Sequence, residues 1–218
     1  MGLTVLSHSM NFPDPELAKP DGLVAVGGDL SVPRLLCAYR RGIFPWTVDP
    51  ISWWSPDPRA VFELDQIHVS RSLAQTLRRQ LFQVTTDRAF RAVIEACSQP
   101  APGRRDTWIS PEFIEAYTRL HQEGHAHSLE CWQGNQLVGG IYGVAVGGFF
   151  AGESMFHRAS DASKVALCHL VQHLRARGFS LFDIQMLTPI TRRLGGIEIP
   201  RRDYLQRLAR AIREPCRF

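Results

Sequence analysis

Three apolar segments that follow one another almost without interruption constrain the fold of this chain most. They read "AHSLECW", "QLVGGIYGVAV" and "GGFFAGE", and together they extend from residue 126 to residue 153. Only "QGN" separates the first segment from the second, and a glycine pair opens the third. Connections this short join antiparallel neighbours. The sequence therefore predicts an antiparallel meander of three strands.

Helical and strand patterns lie on both sides of the predicted meander. Ser110 is placed to cap the helix that starts at Pro111, and Gly124 is placed to end it. Apolar spacing predicts helices over 70–81, 88–97, 111–123, 161–177 and 201–213, strands over 82–87 and 179–186, and a loop over 99–107. This order of elements predicts an α+β domain with a mixed β-sheet.

The first 61 residues differ from the rest because Pro, Gly and Trp are frequent in them. These residues punctuate turns and disfavour long regular elements, and one short helix is predicted, over 32–41. We expect a small irregular N-terminal domain over 1–61 and a larger domain over 62–218. Indole rings stack well and carry an N–H donor, so Trp46, Trp53 and Trp54 are expected to form the core of the small domain or its binding surface.

The net positive charge of the chain is compatible with a polyanionic partner but does not require one. The 218 residues carry a formal net charge of +4, and nearly all the basic residues are arginine. Five adjacent arginine pairs could each contact phosphate, although a solvated surface is the simpler interpretation of any single pair. The pairs are Arg40–Arg41, Arg78–Arg79, Arg104–Arg105, Arg192–Arg193 and Arg201–Arg202.

Several classes of protein and site do not fit the sequence. The chain has no apolar run of about 18 residues and no secretion signal at its start, so we expect a cytoplasmic protein without membrane contact. The five cysteines are never spaced C-x-x-C, and no disulfide framework or structural zinc site is expected. "GESMF" resembles the G-x-S-x-G turn of hydrolases, but it ends in Phe156, so Ser154 is not expected to be a nucleophile.

Two carboxylates stand out because each comes late in an apolar strand. Asp183 and Gln185 share one face of the strand predicted over 179–186, and Glu153 ends the strand predicted over 147–153. A buried carboxylate is costly, so each is either held by a structural donor or used in chemistry. Two strands of one sheet that end in polar residues could converge on a single cavity.

Several blocks of the sequence resemble the leucyl/phenylalanyl-tRNA–protein transferase family. They read "GLVAVGGDLS", "AYRRGIFPW", "WWSPDPRAVF", "EAYTRLHQEGHAHSLE", "LVGGIYGVAVGGFFAGESMFHRASDASKVAL" and "EIPRRDYL", and they cover nearly the whole chain. The resemblance implies an aminoacyltransferase that moves leucine or phenylalanine, with methionine as a further candidate, from aminoacyl-tRNA to the N-terminal Arg or Lys of proteins. This transfer marks the protein for degradation by the N-degron pathway. The resemblance also implies a GNAT-like acyltransferase fold, no cofactor and no metal.

The resemblance also assigns roles to individual residues. Gln185, oriented by Asp183, would accept a hydrogen bond from the incoming amine. The residues expected to bind the donor are Trp46, Trp108 and Tyr117 at the terminal adenosine, Ile141, Phe150 and Met155 at the base of the amino-acid pocket, and Glu153 and Ser154. An aminoacyl ester is already activated, so catalysis needs alignment and the removal of one proton rather than a covalent nucleophile.

One segment departs from the family pattern and keeps two alternatives open. Ile190 and Arg193 stand where the family usually shows His and Ser, and Pro189, Arg192 and Arg193 predict a kinked, basic loop. The first alternative is a GNAT-like acetyltransferase, which should carry a pyrophosphate loop for coenzyme A. The second is a non-catalytic module that binds the tRNA end or a degron.

Overall fold

The N-terminal part of the protein forms a small sheet of its own. The computed structural model describes residues 3–7, 10–100 and 107–218. Within these ranges the first sheet contains β1 (Thr4–Leu6), β2 (Leu23–Gly27), β3 (Phe44–Val48) and β4 (Ile51–Trp54), in the order β1-β2-β4-β3, and α1 (Val32–Tyr39) connects β2 to β3. The sequence predicted the helix but not this sheet. Its strands have three to five residues, too few to show alternation, and Pro45 interrupts one of them.

The larger sheet has seven strands and carries the predicted meander. They are β5 (Arg59–Phe62), β6 (Gln83–Thr86), β7 (Ala126–Gln133), β8 (Gln136–Val146), β9 (Phe149–His157), β10 (Leu181–Gln185) and β11 (Ile197–Ile199). Their order is β11-β5-β10-β9-β8-β7-β6. β9 and β10 run parallel, and the other neighbours are antiparallel. The prediction of an α+β fold with a mixed sheet is confirmed.

The helices around this sheet largely follow the prediction. They are α2 (Arg71–Arg79), α3 (Phe90–Cys97), α4 (Pro111–Gln122), α5 (Ala162–Ala176), α6 (Pro189–Arg193) and α7 (Arg201–Ala211). Ser110 occupies the N-cap position of α4, but its hydroxyl donates to Glu112 rather than capping a backbone amide. Most of the loop predicted over 99–107 lies outside the described residues, as does the pair Arg104–Arg105.

The prediction of a kinked loop over 189–193 is wrong, because these residues form the short helix α6. Thr188 caps it: the Thr188 hydroxyl accepts from the Thr191 amide at 3.1 Å, and the Thr191 hydroxyl accepts from the Thr188 amide at 2.8 Å. Pro189 lies in the first turn, where its missing N–H costs nothing. The proline therefore starts a helix instead of breaking one.

The seven-stranded sheet separates two apolar cores. Phe149 and Ala151 of β9 point into the first core, and Phe150 between them points into the second, beneath α5. The first core continues into the N-terminal segment, where Trp53 is fully buried. β5 spans the predicted boundary at residue 61, and the division into two domains stays a prediction. Within the described ranges, no helix is both long and apolar enough to cross a bilayer.

Candidate active site

An apolar cavity of about 440 Å³ lies between β9, β10 and the helices α5 and α6. Its apolar lining includes Phe62, Ile141, Met155, Leu167, Phe182 and Ile184, and Glu153 and Ser154 also line it. Four of the predicted substrate-binding residues thus meet at one cavity. Phe150 is placed differently: it is fully buried behind the lining, with its ring centroid 5.7 Å from that of Phe182.

A β-bulge in β9 directs Glu153 toward this cavity. Tyr142 of β8 lies opposite Ser154, and Gly143 lies opposite Gly152, so Glu153 has no partner on β8. Such an extra residue bends the strand and redirects a side chain. A Cβ atom on Gly143 would lie 2.2 Å from the carbonyl oxygen of Ala151, so the bulge depends on glycine at this position.

The Glu153 carboxylate is held by uncharged donors. Its Oε1 accepts from the Tyr39 hydroxyl at 2.8 Å and from Gln185 Nε2 at 2.9 Å, and its Oε2 accepts from the Tyr117 hydroxyl at 3.3 Å. The two tyrosine hydroxyls are also within hydrogen-bond distance of each other, and because they carry two protons for three contacts, all three are hydrogen bonds together only when Glu153 is protonated and donates. Burial raises the pKa of Glu153 to about 7, although the bonds from Tyr39 and Gln185 favour the ionised form. Glu153 can therefore exchange a proton near neutral pH.

Asp183, in contrast, is locked in a buried ion pair. Arg59 Nε donates to its Oδ1 at 2.9 Å, and Arg59 Nη2 donates to its Oδ2 at 2.6 Å. The Tyr204 hydroxyl and the Gln185 backbone amide add bonds of 2.9 Å and 2.8 Å. Both charged side chains are at most 1% exposed. This bidentate arrangement uses both oxygens twice, which suits a structural role better than proton transfer.

Sequence reasoning missed Arg59, although the sequence carries a signal for it. The residue stands in "DPRAVF" and is the first residue of β5, whose other residues are apolar. A guanidinium buried in an apolar strand needs a counter-charge. That requirement could have pointed to a carboxylate in another predicted strand, Glu153 or Asp183, without deciding between them.

Gln185 adopts a backbone conformation that is rare for a residue with a side chain. Its φ is 61°, in the left-handed region, and the register of β10 with β5 shifts between Asp183 and Gln185. Asp183 accepts from the Gln185 backbone amide, whereas the side-chain amide of Gln185 donates to Glu153. Because Gln185 Nε2 donates to the Glu153 carboxylate, its Oε1 is the amide atom left to accept a hydrogen bond.

The two tryptophans that are predicted to bind the terminal adenosine line a smaller cleft beside the cavity. Trp46 and Trp108 enclose about 50 Å³ together with Phe44, Gln185 and Met186. Met186 lines both the cleft and the larger cavity, so the two spaces adjoin. Tyr117 does not line the cleft and instead bonds to Glu153. Among the residues with described positions, no group of three His, Cys, Asp or Glu side chains could hold a metal ion.

Comparison with known proteins identifies a family for this chain. The family model described as leucyl/phenylalanyl-tRNA protein transferase matches residues 61–209, and the model of the N-terminal domain of that transferase matches residues 28–57. Among solved structures, a GCN5-related N-acetyltransferase from Kribbella flavida has a TM-score of 0.41 and 12% identity, covering 75% of this chain and 59% of that one. That score is too low to support an argument.

Curated relatives are similar over almost their whole length. A leucyl/phenylalanyl-tRNA–protein transferase from Anaeromyxobacter sp. (strain Fw109-5) is 53% identical over 218 residues, which cover 99% of this chain and 93% of the relative. A protein of the same name from Nitratidesulfovibrio vulgaris (strain DP4) is 54% identical over 210 residues, which cover 95% of this chain and 90% of the relative. The chain belongs to the leucyl/phenylalanyl-tRNA–protein transferase family.

Proposed function

We propose that this protein transfers leucine or phenylalanine, with methionine as a further donor, from aminoacyl-tRNA to the N-terminal Arg or Lys of proteins and so marks them for degradation. Family membership supports an aminoacyltransferase. The observation that carries the proposal is the apolar cavity into which Glu153 projects, hydrogen-bonded to Gln185. Because charged tRNA is a cytoplasmic molecule, the proposal includes a cytoplasmic location.

The donor would occupy the cavity and the adjoining cleft. The leucine or phenylalanine side chain would enter the apolar cavity, and the terminal adenine would stack on Trp46, with Trp108 completing that wall. One methylene in an apolar pocket changes the transition-state energy by only about 1–3 kcal/mol. Leucine, phenylalanine and methionine are therefore all compatible donors, whereas β-branched side chains are disfavoured by shape.

The reaction needs a positioned amine and an acceptor for its proton. The amine nitrogen attacks the ester carbonyl carbon, a C–N bond forms, and the C–O bond to the terminal ribose breaks. The amine loses one proton and the ribose oxygen gains one. Gln185 Oε1 would accept a hydrogen bond from the attacking amine, because Nε2 is already bonded to Glu153.

Glu153 is the carboxylate that we assign to proton uptake. Its pKa of about 7 lies close to the value of about 7.7–8.0 for a free α-amine, and such matching favours proton transfer. Asp183 would act as a positioning residue, because its oxygens are used by Arg59, Tyr204 and the backbone amide of Gln185. Tyr39 and Tyr117 would orient the Glu153 carboxylate.

A transfer assay tests the proposal directly. The protein is incubated with Phe-tRNA that carries a labelled amino acid and with a peptide that begins with Arg. Labelled peptide is expected, and the same peptide with an acetylated N-terminus should stay unlabelled. Retention of labelled tRNA without transfer would favour the binding module, and acetylation of the peptide by acetyl-CoA would favour the acetyltransferase.

A further inference from the structure

A second cavity, of about 490 Å³, lies on the other side of α6 from the apolar cavity. Ile190 lines both spaces, so the short helix α6 is the wall between them. The lining of the second cavity differs in character, since it brings together basic, imidazole and hydroxyl side chains from separate parts of the chain. Prominent among them are His68, His157, Ser163, Lys164 and Arg193. The proposed reaction uses none of these groups.

Ser163 offers a hydroxyl to a ligand in this second cavity. Ser163 is only 6% exposed, lines the cavity, and makes no hydrogen bond within residues 3–7, 10–100 and 107–218. Within the described residues its oxygen is not among the fully buried polar atoms that lack a partner, so it is open to the cavity and free to bond a ligand there. Ser163 also lies in the first turn of α5, and Asp161 at the N-cap makes no side-chain capping bond there. The backbone amides at the start of a helix favour an anion.

The charges around the cavity also favour an anion. Arg193 forms no ion pair within the described part of the chain, whereas its neighbour Arg192 pairs with Glu198 at 3.6 Å. Lys164 Nζ lies 2.7 Å from Asp161 Oδ1, so one carboxylate also borders the space. Arg193 and Lys164 together outweigh that single negative charge, and a bound anion would share Lys164 with Asp161.

We propose that this second cavity binds a backbone phosphate near the 3′ end of the donor tRNA. The inference rests on the proposed function. A phosphate offers several acceptor oxygens to the Ser163 hydroxyl, the Lys164 ammonium and the Arg193 guanidinium. The cavity adjoins the aminoacyl cavity across α6, so a phosphate held there would fix the direction in which the RNA approaches. Phosphate contacts of this kind position a nucleic acid without reading its sequence.

The test compares two donors and two neighbouring arginines. One donor is Phe-tRNA, and the other is phenylalanyl-adenosine, which carries the same ester without any phosphate. Arg193→Ala should raise the KM for Phe-tRNA about tenfold and reduce the salt dependence of tRNA binding by about one counterion, with phenylalanyl-adenosine unaffected. Arg192→Ala removes the same charge from the same helix outside the cavity, so its KM should stay near that of the wild type. Ser163→Ala should also raise the KM for Phe-tRNA, but by less than Arg193→Ala does.

The outcomes separate this inference from the proposed function. If the unaltered protein uses neither donor, the proposed function fails. If it uses both donors, the phosphate site is refuted when Arg193→Ala leaves the KM for Phe-tRNA unchanged or slows transfer from both donors equally. Titration with inorganic phosphate is the remaining arm. Saturable binding that does not compete with tRNA would identify a small-anion site and overturn the assignment to RNA.

Discussion

Glu153 and Asp183 show how two neighbouring carboxylates acquire different chemistry from their surroundings. Glu153 faces the hydroxyls of Tyr39 and Tyr117, and burial holds the pKa of both phenols well above the ordinary value, so they remain donors. Asp183 instead faces the permanent charge of Arg59. A carboxylate whose pKa lies near neutral pH suits proton transfer, and a carboxylate whose two oxygens already accept four hydrogen bonds suits positioning.

Replacement of Glu153 by Gln should affect both activity and the pH dependence of stability. Transfer should fall at least about a hundredfold, the lower range for loss of an acid–base group. Since the pKa of Glu153 is raised from 4.5 to about 7, the native state holds its proton while the unfolded chain has lost it, and wild-type stability falls as pH rises across that window. Relative to Glu153→Gln, the wild type should lose about 2–3 kcal/mol between pH 5 and pH 8 in urea unfolding. Identical pH profiles would contradict the raised pKa.

Replacement of Asp183 by Ala should abolish most transfer and spare tRNA binding. The variant leaves Arg59 buried without its partner, which costs about 3–5 kcal/mol of unfolding free energy. The control is the double variant Arg59→Met with Asp183→Leu, which removes both charges and should recover much of that stability. Its kcat should nevertheless stay low, because the Gln185 amide has lost its acceptor. Wild-type transfer in either variant would remove Asp183 from the site.

Among the secondary-structure elements, β9 and β10 create the site through their irregularities. The bulge in β9 leaves Glu153 unpaired with β8, and the register shift at the end of β10 coincides with the left-handed backbone of Gln185. In regular strands, these side chains would simply alternate between the two faces of the sheet. The hydrogen bond between Glu153 and Gln185 therefore depends on two local departures from ideal pairing.

Gly143→Ala tests whether the bulge needs a small residue in β8. The added methyl group would lie 2.2 Å from the Ala151 carbonyl oxygen, so the strands must move apart, with a loss of about 1–3 kcal/mol and reduced transfer. Gly124→Ala is the matched control, because nothing lies within 4 Å of its Cβ position and only its positive φ is strained. That variant should lose about 1 kcal/mol with transfer retained. Urea unfolding and the transfer assay measure both, and equal activity losses would contradict the steric explanation.

At the scale of the whole molecule, the N-terminal segment, which precedes β5, contacts the seven-stranded sheet through both apolar and polar groups. Tyr39 of the N-terminal segment belongs to the first core and donates to Glu153. Arg59 Nη1 donates to the Gly42 carbonyl oxygen at 3.1 Å, and Arg201 Nη1 donates to that of Ser55 at 2.7 Å. The same contacts that hold the two parts together also build the site.

The protein should accordingly unfold in a single cooperative transition. Tryptophan fluorescence reports mainly on the N-terminal segment, which holds three of the five tryptophans, including the fully buried Trp53, and far-UV circular dichroism reports on the whole chain. Because the first core spans both parts, the two probes should give coincident midpoints in urea. An earlier fluorescence transition would show that residues 1–61 unfold separately.

Local patterns were enough to predict the meander and the long helix α5, and to single out Glu153 and Asp183 as carboxylates in apolar strands, whereas the roles of Glu153, Asp183 and Gln185 stay predictions. Alternation and capping act between residues near in sequence, and a carboxylate in an apolar strand is unusual in any context. The ion pair of Arg59 with Asp183 joins residues 124 apart, and the bond from Tyr39 to Glu153 joins residues 114 apart. Neither pairing has a local signal in the sequence. The N-terminal sheet and the position of the two cavities on either side of α6 also lack one. Folding fixes these because they depend on which distant surfaces pack together.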